Sequence, residues 1–219
     1  MTDEGPQPDL TVERSREIRR QQLLQQVQKQ DRVRDPYPLP DLVGAEDGWM
    51  SDVEVAVLVG YAKLLSPAMG PVLEIGCWKG RTTSGLATVG KVEVVDHFVG
   101  GKDMPPELRG RNVRPDFARN LERLDLLDRV TVHEGKTRDV LPQLESASYR
   151  LILVDASHEA EDVAFDVSEA WRLCSSGGFI FFDDINWESV QTAVVNFLRS
   201  KSLRALNLAS QKLAFIKRP

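Results

Sequence analysis

Five short apolar runs recur between residues 71 and 184: PVLEIG at 71–76, KVEVVD at 91–96, RVTVHEG at 129–135, RLILVD at 150–155 and FIFFDD at 179–184. Segments of helical periodicity separate them. Strands that alternate with helices pair in parallel through right-handed crossovers. Near-continuous apolar character, as in RLILVD, suits a strand buried on both faces. Helices are expected from about 80, over 114–127, over 160–174 with Val163, Val167, Ala170, Trp171 and Cys174 on one face, and over 188–199. Gly177-Gly178 should turn the chain into the fifth strand. The segments 203–209 and 212–218 predict a closing antiparallel hairpin around Ser210-Gln211. The expected fold class is α/β: a Rossmann-like, mostly parallel seven-stranded sheet with a C-terminal antiparallel hairpin.

Two regions precede this alternation. Residues 1–47 read as an N-terminal extension, with a polar start, a charged helix over 11–34 and a proline-rich linker over 35–47. The apolar stripe of that helix, Leu23, Leu24 and Val27, is too thin to stand alone. The helix is therefore expected to pack on a partner subunit, as in a homodimer, or over the cleft. Residues 48–219 form the expected catalytic domain, which opens on a helix over 52–65 with Ser51 as N-cap and Glu54 closing a capping box.

In open α/β sheets, ligands bind beyond the carboxyl ends of the strands. The first strand ends in Glu74-Ile75-Gly76-Cys77-Trp78-Lys79-Gly80. Gly76 permits a tight turn, and Gly80 lets a helix begin close to a ligand. A dinucleotide loop needs glycine where Trp78 stands, because backbone must approach the pyrophosphate there. The loop thus suits a nucleoside without a diphosphate, and a nicotinamide oxidoreductase is disfavoured. Asp96 lies 20 residues after Gly76 at the end of the second strand, where a carboxylate can accept hydrogen bonds from ribose hydroxyls. His97 adjoins it at the cleft and is a candidate to contact cofactor or metal.

The segment VLEIGCWKGRTT resembles motif I of class I S-adenosylmethionine-dependent methyltransferases. It is most similar to macrocin-type sugar O-methyltransferases and related small bacterial metal-dependent enzymes. VVDHF, LILVDASH and GGFIFFDDI extend the resemblance, which covers about residues 48–190. It implies that Glu74, Gly76, Trp78 and Gly80 wrap the amino-acid end of S-adenosylmethionine and that Asp96 binds the ribose. It also implies that Gly135 and Lys136 border the adenine.

Asp155 ends the fourth strand, and Asp183 and Asp184 end the fifth. Neighbouring strands would set all three on one rim, where carboxylates repel unless protonated or bound to a cation. An all-oxygen set favours Mg²⁺, Mn²⁺ or Ca²⁺ over softer metals, and the resemblance implies metal aspartates at matching places, with Mg²⁺ or Mn²⁺ the expected ion. His158, three residues after Asp155, is the expected general base. His133 lies within a strand and reads as structural. Trp187 is a candidate to stack on a sugar ring, and the basic loop around Lys102, Arg109, Arg111 and Arg114 reads as a solvated loop or a lid.

The formal net charge of −5 disfavours a broad nucleic-acid-binding face. There is no apolar run of membrane-spanning length. The two cysteines, Cys77 and Cys174, form no pair or metal motif, so a cytoplasmic chain is expected. The expected activity is metal-assisted methyl transfer to a hydroxyl of a sugar or glycosylated metabolite. A phenolic or catechol acceptor is the runner-up, and a non-catalytic methyltransferase-like binding domain is a third reading.

Overall fold

The computed structural model describes residues 43–44, 47–102, 104–203 and 205–219. The chain divides into two units, Met1–Pro38 and Leu39–Pro219, and all described residues belong to the second. The helix and most of the linker expected before residue 48 lie outside the described residues.

Helix α1 (Asp52–Leu64) starts as its sequence requires. Ser51 Oγ accepts from the Glu54 amide, and the Glu54 carboxylate accepts from the Ser51 amide. Val55, Leu58, Val59 and Ala62 form its buried face. Then come β1 (Val72–Ile75), α2 (Arg81–Ala87), β2 (Val92–Asp96), α3 (Arg114–Arg123), β3 (Val130–Glu134), the short α4 (Thr137–Val140), β4 (Tyr149–Val154), α5 (Ala160–Leu173), β5 (Cys174–Phe182), α6 (Glu188–Ser200), β6 (Asn207–Leu208) and β7 (Ala214–Lys217). One seven-stranded sheet results, ordered β3-β2-β1-β4-β5-β7-β6. The first five strands pair in parallel, and β7 runs antiparallel to both β5 and β6.

Alternate side chains of each strand point to opposite faces, and the core divides accordingly. Leu73, Ile75, Ile152, Val154, Ile180 and Phe182 pack under α5 and α6 with Val163, Val167 and Val194. Val72, Leu151, Leu153 and Phe181 pack under α1, α2 and α3 with Leu58, Leu86 and Phe117.

One boundary differs from expectation. Gly177-Gly178 is not a turn before β5 but lies inside it, since the strand begins at Cys174 directly after α5. A Cβ on Gly178 would meet the Arg150 carbonyl oxygen at 2.5 Å, so the glycine lets β5 pass close to β4 where their register shifts. Cys174 is therefore a strand residue. Both cysteines are buried, and burial pushes the Cys174 thiol up to about 12, as for a small core side chain.

Among the described residues, no helix is long and apolar enough to cross a membrane.

Candidate active site

The carboxyl ends of β1, β2 and β3 bring together the residues expected to hold a cofactor. Gly76 sits at φ +87, and a Cβ there would lie 2.1 Å from the Asp155 carbonyl oxygen. Only glycine lets β1 turn this close to β4. Gly80, at φ +88, caps α2, and its amide donates to the Cys77 carbonyl at 2.8 Å. Between them Trp78 also takes a left-handed conformation, at φ +48, uncommon for a bulky residue.

Asp96 holds this loop. Its Oδ2 accepts the amides of Cys77 at 2.8 Å and Trp78 at 2.9 Å. Its Oδ1 accepts the Phe98 amide at 2.6 Å. A carboxylate offers about four lone-pair sites, and three of these are taken by backbone amides. Gly135 donates its amide to the Asp96 carbonyl at 3.0 Å, which draws the loop after β3 to the same corner. Lys136 is the exposed N-cap of α4. His97 is exposed and accepts the Val99 amide through Nδ1 at 3.0 Å, a local turn.

Glu74 is buried within β1, where Thr83 Oγ1 donates to it at 2.5 Å. Burial, opposed by that hydrogen bond, raises its pKa to about 8. A carboxyl so placed gains its charge readily only when a cation comes beside it.

A clasp around this loop had no motif to reveal it. The buried Arg81 donates Nε to the Met50 carbonyl at 2.7 Å and Nη1 to the Val43 carbonyl at 2.5 Å, and it pairs with Asp52. Lys79 Nζ meets Asp47 at 2.6 Å, and Asn120 donates to both Asp47 and the Lys79 carbonyl. The chain before α1 is thereby tied to the cofactor-side loop.

At the ends of β4 and β5, Asp155, Asp183 and Asp184 each offer one oxygen within 4.8 Å of the others. Burial, and then the mutual repulsion of Asp155 and Asp183, push the first well above the carboxylate range. Asp183 is raised by burial too, although Lys212 opposes it. Burial also acts on Asp184, but the His158 hydrogen bond and the Lys212 charge outweigh it and lower its pKa. Asp184 sits at φ +50, a conformation aspartate tolerates better than most residues.

His158 joins the same rim. Its Nε2 lies 2.8 Å from Asp184 Oδ2. Its ring stacks on Trp187 at 4.3 Å between centroids and 22° between planes. Trp187 stays 46% exposed, so it presents aromatic surface to solvent beside the rim. Lys212 Nζ, which no motif singled out, stands 2.6 Å from Asp183.

The remaining candidates lie elsewhere. His133 meets Glu93 at 2.8 Å, and Tyr149 donates to the same Glu93 oxygen, a bond between strands. In the basic loop, Lys102 pairs with Glu159, Arg111 with Asp116 and Arg114 with Glu134.

The sheet order, five parallel strands closed by an antiparallel pair, is that of a Rossmann-like methyltransferase fold. A family model described as a methyltransferase domain matches residues 73–185, over half of the 219-residue chain. The chain belongs to this methyltransferase domain family. No curated protein matches it.

Solved structures share the fold at low identity. The O-methyltransferase NovP superposes with a TM-score of 0.69 at 16% identity, over 78% of this chain and 82% of its own. TomG of Streptomyces achromogenes, an O-methyltransferase of tomaymycin synthesis solved with S-adenosylmethionine, gives 0.57 at 16% identity over 82% and 83%. CalS11, a TDP-rhamnose 3'-O-methyltransferase of calicheamicin biosynthesis, gives 0.52 at 14% identity over 77% and 81%.

Proposed function

We propose that this chain transfers the methyl group of S-adenosylmethionine to a hydroxyl of a sugar or glycosylated metabolite, assisted by a divalent cation on Asp155, Asp183 and Asp184. The observation that carries the reading is the acidic rim itself. Three carboxylate oxygens converge within 4.8 Å, and Asp183 Oδ1, in a side chain 5% exposed, has no hydrogen-bond partner. A buried carboxylate oxygen without a donor is costly, and a hard cation is what this oxygen set fits. When bound, Mg²⁺ or Mn²⁺ would lower the pKa of the acceptor hydroxyl and fix its direction.

His158 supplies the base. Its Nε2 contact with Asp184 Oδ2 at 2.8 Å orients the imidazole beside the rim, and histidine titrates in the range a base needs at neutral pH. The acceptor oxygen bonds to the methyl carbon as the carbon–sulfur bond breaks with its electrons left on sulfur. The hydroxyl proton passes to His158. A base beside the rim suits an aliphatic sugar hydroxyl more than a catechol, which ionises more readily. The name of CalS11 supports a sugar acceptor, and the exposed face of Trp187 offers a platform for its ring.

Chelation therefore abolishes transfer while leaving cofactor binding intact, and Mg²⁺ or Mn²⁺ restores it. His158→Ala lowers turnover by about 10²–10⁴-fold, the usual share of general-base catalysis. Labelled-cofactor assays across neutral pH check both; full activity in excess chelator removes the metal from this reading.

Glu74 adds a pH dependence. Its carboxyl is largely protonated below about 8, and the ammonium and sulfonium of the cofactor favour its charged form. Binding should thus release a proton, and affinity should rise as pH climbs from 6 to 8. Calorimetry at pH 7 in two buffers of different ionisation enthalpy measures that release. Glu74→Gln should abolish it, and an unchanged release in that variant would clear Glu74 of the role.

A further inference from the structure

The turn between β6 and β7 carries Lys212 into the acidic rim. Its ammonium nitrogen is 2.6 Å from Asp183 Oδ2 and 3.7 Å from Asp184 Oδ1, so it lies between two of the three carboxylates. It is no loose surface chain, being 20% exposed. Its carbonyl accepts the Ile185 amide at 2.8 Å, which ties the turn to the residue after the acidic pair. Its own amide donates to Ser210 Oγ at 3.2 Å. Ser210 in turn donates to Glu54 at 2.6 Å, and Glu54 closes the capping box of α1. The turn is built to present this lysine to the rim.

An ammonium on Asp183 Oδ2 and a divalent cation drawing on the same carboxylates compete for their negative charge. Mg²⁺ needs oxygens at about 2.0–2.1 Å, and a lysine–carboxylate contact spans about 2.7–2.9 Å. A metal on these oxygens beside an unmoved Nζ would set a divalent charge within a few ångströms of the ammonium, and their mutual repulsion in a partly buried site lowers the net attraction that the three carboxylates offer the ion.

We propose that Lys212 is the resident counter-ion of the rim: it bridges Asp183 and Asp184 while no divalent cation is bound, and its ammonium leaves that bridge when one enters. Lys212 thereby weakens the site's hold on metal and keeps it ordered when empty of one. The inference rests on the metal reading above.

Calorimetric titration of the full chain with Mn²⁺, at fixed pH and ionic strength, tests it. Lys212→Met should bind Mn²⁺ on the order of tenfold to a hundredfold more tightly than the wild type. Lys212→Arg, which keeps the charge, should stay near the wild type. Without metal, Lys212→Met should melt below the wild type, because Asp183 loses its partner, and Mn²⁺ should raise its melting temperature by the larger amount. Should Lys212→Met fail to fold, Lys212→Gln keeps a donor against Asp183, removes the charge and is read the same way. Equal Mn²⁺ affinity in wild type and variant, lost in Asp183→Asn, overturns the role of Lys212 and leaves the metal reading standing. Weaker binding in the variant overturns it as well, since the ammonium would then be orienting Asp183 for the ion. No Mn²⁺ bound by any form overturns the metal reading and this inference with it.

Discussion

Asp155→Asn is expected to bind S-adenosylmethionine normally and to transfer its methyl group at least about a thousandfold more slowly, the several kcal/mol that an aligned cation contributes. The substitution keeps the shape of the side chain and removes its charge. Asp155 stands where β4 meets the Gly76 turn, and its amide donates to the Ile75 carbonyl at 2.8 Å. That backbone bond survives the change, so the cofactor loop keeps its support. What is lost is one of three converging oxygens. The metal-free chain should also melt no lower than the wild type, because burial and Asp183 already oppose ionisation of Asp155, so asparagine removes no favourable charge. Mn²⁺, which should stabilise the wild type by preferential binding, should do so far less in the variant. Melting curves with chelator and with Mn²⁺, beside single-turnover transfer, separate these effects. Wild-type turnover in Asp155→Asn would exclude the rim from catalysis. A chain that melts early in chelator would instead make Asp155 a structural group.

Most of the sheet was legible because its signals are local. Each parallel strand is a short apolar run closed by an acid or glycine, and the Ser51–Glu54 box states where α1 begins. The rim was legible for a related reason: a sheet rule says which strand ends meet, so Asp155, Asp183 and Asp184 could be gathered from positions far apart in the chain. Gly177-Gly178 misled, since paired glycines ordinarily mark a turn, whereas here Gly178 buys room for β5 against Arg150 of β4. That constraint lives in a neighbour strand and leaves no mark in the local pattern. Lys212 was illegible likewise. One lysine in a polar turn resembles any other until the fold sets it 2.6 Å from Asp183. The Arg81 clasp escaped because its acceptors are backbone carbonyls, which every residue carries. Asp96 shows the same limit: the place at a strand end suggests a ribose, but the three amides that Asp96 accepts come from loop geometry.

Those donors set the second large expected effect. Asp96→Ala should weaken S-adenosylhomocysteine binding by about a hundredfold or more and lower the melting temperature, because it removes an organising centre as well as the proposed ribose contact. The amides of Cys77, Trp78 and Phe98 all converge on this carboxylate. Hydrogen bonds to a charged group contribute about 1.5–3 kcal/mol each. Loss of one ribose contact alone would account for roughly tenfold to a hundredfold in affinity. The loop adds to that loss. Trp78 holds a left-handed backbone at φ +48, a conformation that costs of order 1–3 kcal/mol and persists only where its surroundings enforce it. Without Asp96 the Trp78 amide has no acceptor to keep it there, and the loop must be reordered each time cofactor binds. Asp96→Asn, which retains one carbonyl oxygen as acceptor, should fall between wild type and Asp96→Ala. Calorimetry gives the affinities, and amide hydrogen exchange at Cys77 and Trp78 reports the loop. Affinity lost with exchange unchanged would confine Asp96 to the ribose. Binding unchanged in Asp96→Ala would remove the residue from the cofactor site.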